Sequence, residues 1–225
     1  KPVIINASTN KVYGKMEQAG IREKKTRYEY VSLRRGVSEK MPLDFYSPYG
    51  CSKGAADQYV MDYARIYGLK TVNFRQSCIY GPRQFGIEDQ GWVAHFIIQA
   101  VLKRPITVYG DGKQVRDVLF VDDLIDAFLL AADKLKTSSG RAYNVGGGPA
   151  NTISLLEFIS MLERELGRKI RVKFSDWRPG DQKIYVSDVR LAGKDLGWKP
   201  KTDAKTGIAR LIKWVLENRG LFSGF

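Results

Sequence analysis

Apolar positions along the chain fall into short strand-like runs that alternate with helix-spaced stripes. Val3-Ile4-Ile5, followed by Asn6-Ala7-Ser8, predicts a buried strand ending in small polar residues. Residues 15–45 are polar, mixed in charge and weakly patterned, and read as a long surface excursion. A helix is predicted over 48–67. Ser47 can cap it, Pro48 suits its first turn, Ala56, Tyr59, Val60 and Tyr63 recur at helical spacing, and Gly68 ends it. TVNFRQSCIYGP, 71–82, predicts another buried strand closed by Gly81-Pro82.

The alternation continues to the end of the chain. A helix over 91–102 precedes a strand in ITVYGDG that runs into a Gly-Asp-Gly turn and a strand in VRDVLFVDD, which leads to a helix over 123–134. RAYNVGGG predicts a strand running into glycines. Ser154 opens a helix, IRVKFSD is a further strand, and a last helix near 207–218 places Ile208, Leu211, Ile212, Val215 and Leu216 on one stripe. Strands alternating with helices predict an α/β fold with a largely parallel sheet.

Composition changes this picture little. The 225 residues are 44% hydrophobic and 27% charged, which is ordinary for a folded protein. No apolar run is long enough to span a bilayer. Two cysteines, Cys51 and Cys78, and a single histidine, His95, provide neither metal spacing nor a disulfide framework, so no metal and a cytoplasmic setting are expected. The net charge of +13 raises the question of nucleic acid. The basic residues are spread out, however, and the densest group is only Lys24, Lys25, Arg34 and Arg35. A solvated basic surface or an anionic small ligand suits that distribution better.

Candidate chemistry gathers at two predicted strand ends. In a parallel α/β sheet, ligands bind beyond the carboxyl ends of the strands. Ser8 and Thr9 end the first strand, and Gln76, Ser77 and Cys78 end the next. Tyr49 and Lys53, i and i+4 at the start of the helix, could reach the same edge. A hydroxyl, a phenol and an ammonium so placed suit proton transfer at an alcohol undergoing oxidation. A phenol near pKa ~10 is a poor base at neutral pH, and a nearby ammonium favours its ionised form. The spacing alone is weak evidence and favours an ordinary amphipathic helix.

The order of motifs resembles the extended short-chain dehydrogenase/reductases that act on nucleotide sugars. Ser8-Thr9 with Val12-Tyr13-Gly14, then Tyr49-x-x-x-Lys53, Arg75, Tyr80-Gly81-Pro82, Gly110-Asp111-Gly112, Arg116-Asp117, Val121-Asp122-Asp123, Asn144-Val145-Gly146-Gly147 and Arg178-Pro179-Gly180-Asp181 carry it along essentially the whole chain. NASTNKVYG and SPYGCSKGAADQY are most similar to the branch that inverts C2 of a CDP-3,6-dideoxyhexose. The resemblance implies part of a Rossmann-like parallel sheet in residues 1–82, bearing the Thr-Tyr-Lys site. It implies a smaller α/β nucleotide-sugar-binding region in 83–225, some of whose segments return to the sheet.

It also implies NAD as cofactor, a nucleotide-diphosphate sugar as substrate, no nucleic-acid or membrane partner, and a homo-oligomer. Tyr49 would be the catalytic base, Lys53 its modulator and a ribose ligand, and Thr9 the partner of the substrate hydroxyl. Ser8, Gln76, Ser77, Cys78 and Ile79 would lie at the nicotinamide. Arg116 and Arg178 would hold the diphosphate, with Gln90, Trp92 and Val93 on nucleotide or sugar. Bland readings stand beside these roles: an Arg116–Asp117 ion pair, an exposed turn at Arg178, and Trp92 as core.

The chain lacks the glycine fingerprint of family members and the residue that selects NAD or NADP. The expectation is therefore a piece corresponding to the C-terminal two thirds of an epimerase, binding NAD weakly or not at all by itself and inactive unless the missing half is supplied. A UDP-sugar 4-epimerase and a nucleotide-sugar-binding fragment are the alternatives. A 4,6-dehydratase ranks lower, because Asn10 and Lys11 follow Thr9 where dehydratases place an acidic pair.

Overall fold

The structure is a computed structural model and describes residues 2–223. In chain order its elements are β1 (Val3–Thr9), β2 (Ile21–Glu23), β3 (Tyr28–Tyr30), α1 (Pro48–Tyr67), β4 (Lys70–Gln76), β5 (Cys78–Tyr80), α2 (Trp92–Val101), β6 (Ile106–Tyr109), β7 (Val115–Phe120), α3 (Val121–Asp133), α4 (Leu135–Ser138), β8 (Arg141–Val145), β9 (Thr152–Ser154), α5 (Leu155–Leu166), β10 (Val172–Ser175), β11 (Ile184–Tyr185), α6 (Arg190–Leu196) and α7 (Ala204–Glu217).

The predicted α/β alternation is present, but the strands divide among several small sheets. A parallel sheet of order β1-β4-β8 carries α1 on one face. Its other face packs Val72, Phe74, Tyr143 and Val145 against Ala127, Ala131, Ala192 and Trp198. A second sheet runs β11-β7-β5 in parallel, with β9 antiparallel to β7, and β6 pairs with β10. The largest core lies among α2, α5 and α7, where Phe96, Ile97, Phe158, Leu162, Ile208 and Leu211 are buried. No helix among the described residues is long and apolar enough to cross a membrane.

Local signals explain the helix boundaries. The Ser47 hydroxyl accepts the Gly50 N–H at 3.0 Å, Pro48 sits in the first turn, and Gly68 closes α1 in the left-handed conformation. Ser154 and Glu157 form a reciprocal capping box at α5.

Five expectations are corrected by the tertiary structure. The buried face of α1 is Gly50, Gly54 and Asp57, whereas Tyr59 and Tyr63 are 68% and 47% exposed. Helical spacing identifies a face of a helix, not the side on which its partner lies. The run 71–82 forms two strands: at Ser77, whose N–H donates to the Val145 carbonyl at 3.0 Å, the chain leaves the first sheet and enters the second as β5. β1 is buried only at its end, with Val3 and Ile4 39% and 41% exposed, because it is an edge strand with one neighbour. Leu216, assigned to the apolar stripe of the last helix, is 42% exposed. Finally, the polar excursion over 15–45 is anchored: it contains the β2–β3 hairpin and buries Met16, Ala19, Tyr28 and Val37.

Candidate active site

Parallel register brings Thr9 of β1 opposite Gln76 of β4, and Gln76 opposite Val145 of β8. The carboxyl ends of these strands therefore finish together, beside the start of α1. Gly54 lets the segment before α1 fold back onto the helix, since a Cβ there would meet the Phe45 ring at 2.4 Å. Ser47 has φ +117°, in the region that favours glycine, one step before Tyr49 enters the helix by way of Pro48.

The strand ends and the start of α2 enclose a cavity of about 570 Å3. Ser8, Thr9, Tyr49, Gln76, Ser77, Cys78 and Ile79 line one part of its wall, and Gln90, Trp92 and Val93 line another. That volume is within the range of small-molecule sites. Asn10, Lys11, Gln84, Ile87 and Asp89 also line it, and none of them was singled out as a binding residue from the sequence. Asn10 and Lys11 adjoin Thr9, a sequence signal that could have found them. Asp89 likewise adjoins Gln90, whereas Gln84 and Ile87 carry no comparable signal.

The Thr9 hydroxyl is loosely held. It accepts the Lys11 N–H at 3.3 Å and donates to Asn10 Oδ1 at 3.4 Å, so it can exchange these contacts for a ligand oxygen. Tyr49 is half-exposed on the cavity wall. Lys53 lies one turn further along α1, off the wall, and its ammonium donates to the Ala7 carbonyl at 3.0 Å. The Ser8 hydroxyl is committed to Asp57 Oδ2 at 2.7 Å. Trp92 is both core and lining: its ring packs edge-on against Phe96 and Phe158, and its indole N–H donates to Cys78 Sγ at 3.2 Å.

The two arginines stand off the cavity wall. Arg178 stacks on the Tyr109 ring at 3.8 Å, pairs with Asp89 at 3.0 Å and donates to the Glu88 carbonyl, so it is no free exposed turn. Arg116 donates to the Val115 carbonyl at 2.8 Å. The Arg116–Asp117 pair does not form. Asp117 instead accepts the Ser77 hydroxyl and the N–H groups of Gly148 and Ser187. Arg116 acts on the cavity through its charge. Burial pushes the Cys78 thiol pKa up and Arg116 opposes that shift. Burial lowers the Lys11 pKa, Arg116 lowers it further, and Asp181 opposes both.

A buried polar network supports the strand ends from behind. Arg75 pairs with Asp57 at 2.9 Å and donates to the Tyr13 hydroxyl at 3.2 Å, which in turn donates to Asn144 Oδ1 at 2.7 Å. Burial pushes the Tyr13 phenol up to about 12, with Arg75 pulling the other way. Between pH ~10 and ~12 the folded protein keeps a proton that the unfolded chain has lost, so stability falls as pH rises through that window. Phenylalanine at position 13 removes this dependence. The stability advantage of wild type over Tyr13→Phe is expected to shrink across the window by up to about 3 kcal/mol, measured by urea unfolding at each pH.

Comparison with known proteins places these observations among relatives. Residues 1–146 match the NAD dependent epimerase/dehydratase family. The chain is 45% identical over 217 residues to the CDP-paratose 2-epimerase of Salmonella typhi, covering 94% of this chain and 64% of that protein. It is 32% identical to the UDP-glucuronate 4-epimerase of Thermodesulfobacterium geofontis, over 76% of this chain and 51% of that one. Among solved structures it is similar to Bacillus cereus UDP-glucuronic acid 4-epimerase in complex with UDP-glucuronic acid and NAD. There the TM-score is 0.78 at 28% identity, covering 95% of this chain and 61% of the other. Thermotoga maritima UDP-glucose 4-epimerase with UDP-glucose gives a TM-score of 0.81 at 26% identity, covering 96% and 63%. The chain thus spans less than two thirds of the length of these relatives.

Proposed function

The chain belongs to the NAD dependent epimerase/dehydratase family, and from that premise we propose that it serves NAD-dependent epimerisation of a nucleotide sugar. The specific reaction proposed is inversion of CDP-paratose at C2 to give CDP-tyvelose through a 2-keto sugar. The observation that carries this reading is the convergence of Thr9, Tyr49 and the Gln76–Ile79 segment on one cavity. The 45% identity to a CDP-paratose 2-epimerase supports the choice of sugar and carbon.

In this reading Tyr49 takes the proton of the sugar hydroxyl and returns it to the ketone oxygen after the sugar has turned. Thr9 donates to that oxygen and holds it in reach. Lys53 brings a positive charge one turn along α1 and has two N–H groups left beside the Ala7 bond for a ribose. NAD held beside Gln76 and Ser77 would supply the reversible hydride acceptance that interconversion of the sugar alcohol and ketone requires. The residues fit the nicotinamide end of that cofactor, where Gln76 and Ser77 face the cavity. Arg116 and Arg178 take the diphosphate, Arg178 by giving up Asp89; guanidinium forks suit such an anion. Gln90, Trp92 and Val93 bound the sugar-nucleotide side. Residues 1–82 then supply most of the reaction site and 83–225 mainly the nucleotide-sugar side.

Asn10 and Lys11 favour epimerisation over dehydration, since neither offers the carboxylic acid needed to expel water. A cytoplasmic homo-oligomer belongs to the same proposal. Tyr59, Tyr63, Ile66 and Tyr67 leave an exposed apolar face on α1 that a second copy can cover. The variant carrying Tyr59→Glu and Ile66→Glu is expected to sediment as a smaller species than wild type.

The reading is tested by incubating the protein and NAD with CDP-paratose or UDP-glucose and following the sugar signals by NMR. Inversion of CDP-paratose at C2 is the expected result. Inversion of UDP-glucose at C4 would move the assignment to a 4-epimerase. Binding of either sugar without turnover would leave a nucleotide-sugar-binding role.

A further inference from the structure

Tyr49, Lys53 and Asp57 succeed one another at i, i+4 and i+8 on α1, so all three lie on the helix face laid against the strand ends. Only Tyr49 of these lines the cavity. Asp57 is fully buried, and its partner Arg75 on β4 is almost so. Both carboxylate oxygens are gripped by the guanidinium, Oδ2 by Nε at 3.0 Å and Oδ1 by Nη2 at 2.9 Å. Oδ2 also accepts the Ser8 hydroxyl, at 2.7 Å.

We propose that the Asp57–Arg75 pair, acting with Ser8, is the positioning device that sets the height of α1 against β1 and β4, and so the placement of Tyr49 relative to Thr9. The proposal rests on reading Tyr49 and Thr9 as the reacting pair. Ser8 stands opposite Arg75 in the parallel register, and Thr9 stands opposite Gln76. One carboxylate on the helix therefore clasps the rung directly behind the rung that faces the cavity. Lys53, one turn earlier, holds the Ala7 carbonyl of the same strand. A slip of α1 by one rung would move Tyr49 by ~3.3 Å along the strands and break every one of these bonds.

The choice of residues points to geometry rather than to stability. Taking two charges out of water is costly, and a well-packed apolar pair can hold a helix on a sheet equally well. A bidentate fork does what an apolar contact cannot, by fixing both the rotation and the height of its partner. The remaining guanidinium nitrogen, Nη1, reaches Tyr13, which reaches Asn144 of β8, so all three strand ends are indexed to the same pair.

The test compares wild type with Asp57→Asn and Arg75→Lys in the NAD-loaded holoenzyme. Asparagine keeps the size of the side chain and loses the second anionic oxygen; lysine keeps the charge and loses the fork. Misplacement of reacting groups by ~1 Å costs about 100-fold in rate. Each folded variant is expected to lose at least ~30-fold in kcat, while KM for the nucleotide sugar stays within about 3-fold. A folded variant with a lowered Tm and wild-type kcat would overturn the proposal, leaving the pair a structural one. If Asp57→Asn does not fold, Arg75→Lys decides the question by the same criterion. Should wild type epimerise no nucleotide sugar, the functional reading fails on its own. The positioning claim is then decided by the crystal structure of Arg75→Lys. A shift of an ångström or more in the Tyr49 hydroxyl relative to Thr9 Oγ1 supports it, and an unmoved pair refutes it.

Discussion

Tyr49→Phe is expected to lower kcat for epimerisation by about 1,000-fold while leaving the fold intact. Proton transfer by a positioned side chain is worth ~100- to 10,000-fold, and 1,000-fold corresponds to about 4 kcal/mol of lost transition-state stabilisation. The stability change should be small, within about 0.5 kcal/mol, because the residue is half-exposed at the start of α1. The affinity for nucleotide sugar should hold, since the phenol acts on one hydroxyl of a large ligand. Tyr59→Phe, on the outer face of the same helix, is the control and should leave kcat unchanged. The measurement is the initial rate of sugar inversion followed by NMR, together with a melting curve for each variant. Retention of more than a tenth of the activity would remove Tyr49 from the base role.

The largest expected loss of stability comes from Asp117→Ala. This carboxylate is fully buried and accepts the Ser77 hydroxyl, the Gly148 N–H at 3.0 Å and the Ser187 N–H at 3.1 Å. Burial pushes its carboxyl pKa up, and those same donors pull it down. Gly146 approaches so closely that a Cβ there would meet Asp117 Oδ2 at 2.3 Å. Removing the acceptor strands two buried backbone donors, each worth ~1–3 kcal/mol, while the Ser77 hydroxyl keeps the Asp117 main-chain carbonyl at 2.9 Å. The expected loss is about 4 kcal/mol, measured by urea unfolding, and is a large part of the ~5–15 kcal/mol that holds a typical domain folded. Ser77→Ala removes a donor instead of the shared acceptor and is expected to lose only about 1 kcal/mol. Equal losses in the two variants would show that the backbone N–H groups find other partners.

The residues around position 49 show how far local signals reach. Ser47, Pro48 and Gly68 determine where α1 starts and stops through short-range hydrogen bonding and backbone freedom, and the observed limits are those predicted. The strand-end rule and the motif order place Thr9, Tyr49 and Gln76 at one sheet edge, and all three line one cavity. The same signals do not say which way α1 faces. Tyr59 and Tyr63 are outside, because the inward face carries Asp57, whose carboxylate needs Arg75, and the small Gly54, which leaves room for the Phe45 ring.

Elsewhere the decisive contacts join residues far apart in the chain. Asn10 binds Gln182 across 172 positions, and Tyr13 stacks on Tyr185 at 6.1 Å. These contacts turn a polar, weakly patterned stretch after Tyr13 into one with its own buried cluster. The sequence by itself determined the alternation of strands and helices, the ends of α1 and which residues to propose as reacting groups, because caps, periodicity and motif spacing act over a few residues. Tertiary structure alone decided the buried face of α1, the change of sheet at Ser77, the placement of Lys11 and Asp89 on the cavity wall, and the engagement of Arg178 with Asp89 and Tyr109. Those outcomes depend on which distant groups meet in low dielectric, where an unpaired charge or N–H is costly and a paired one fixes geometry.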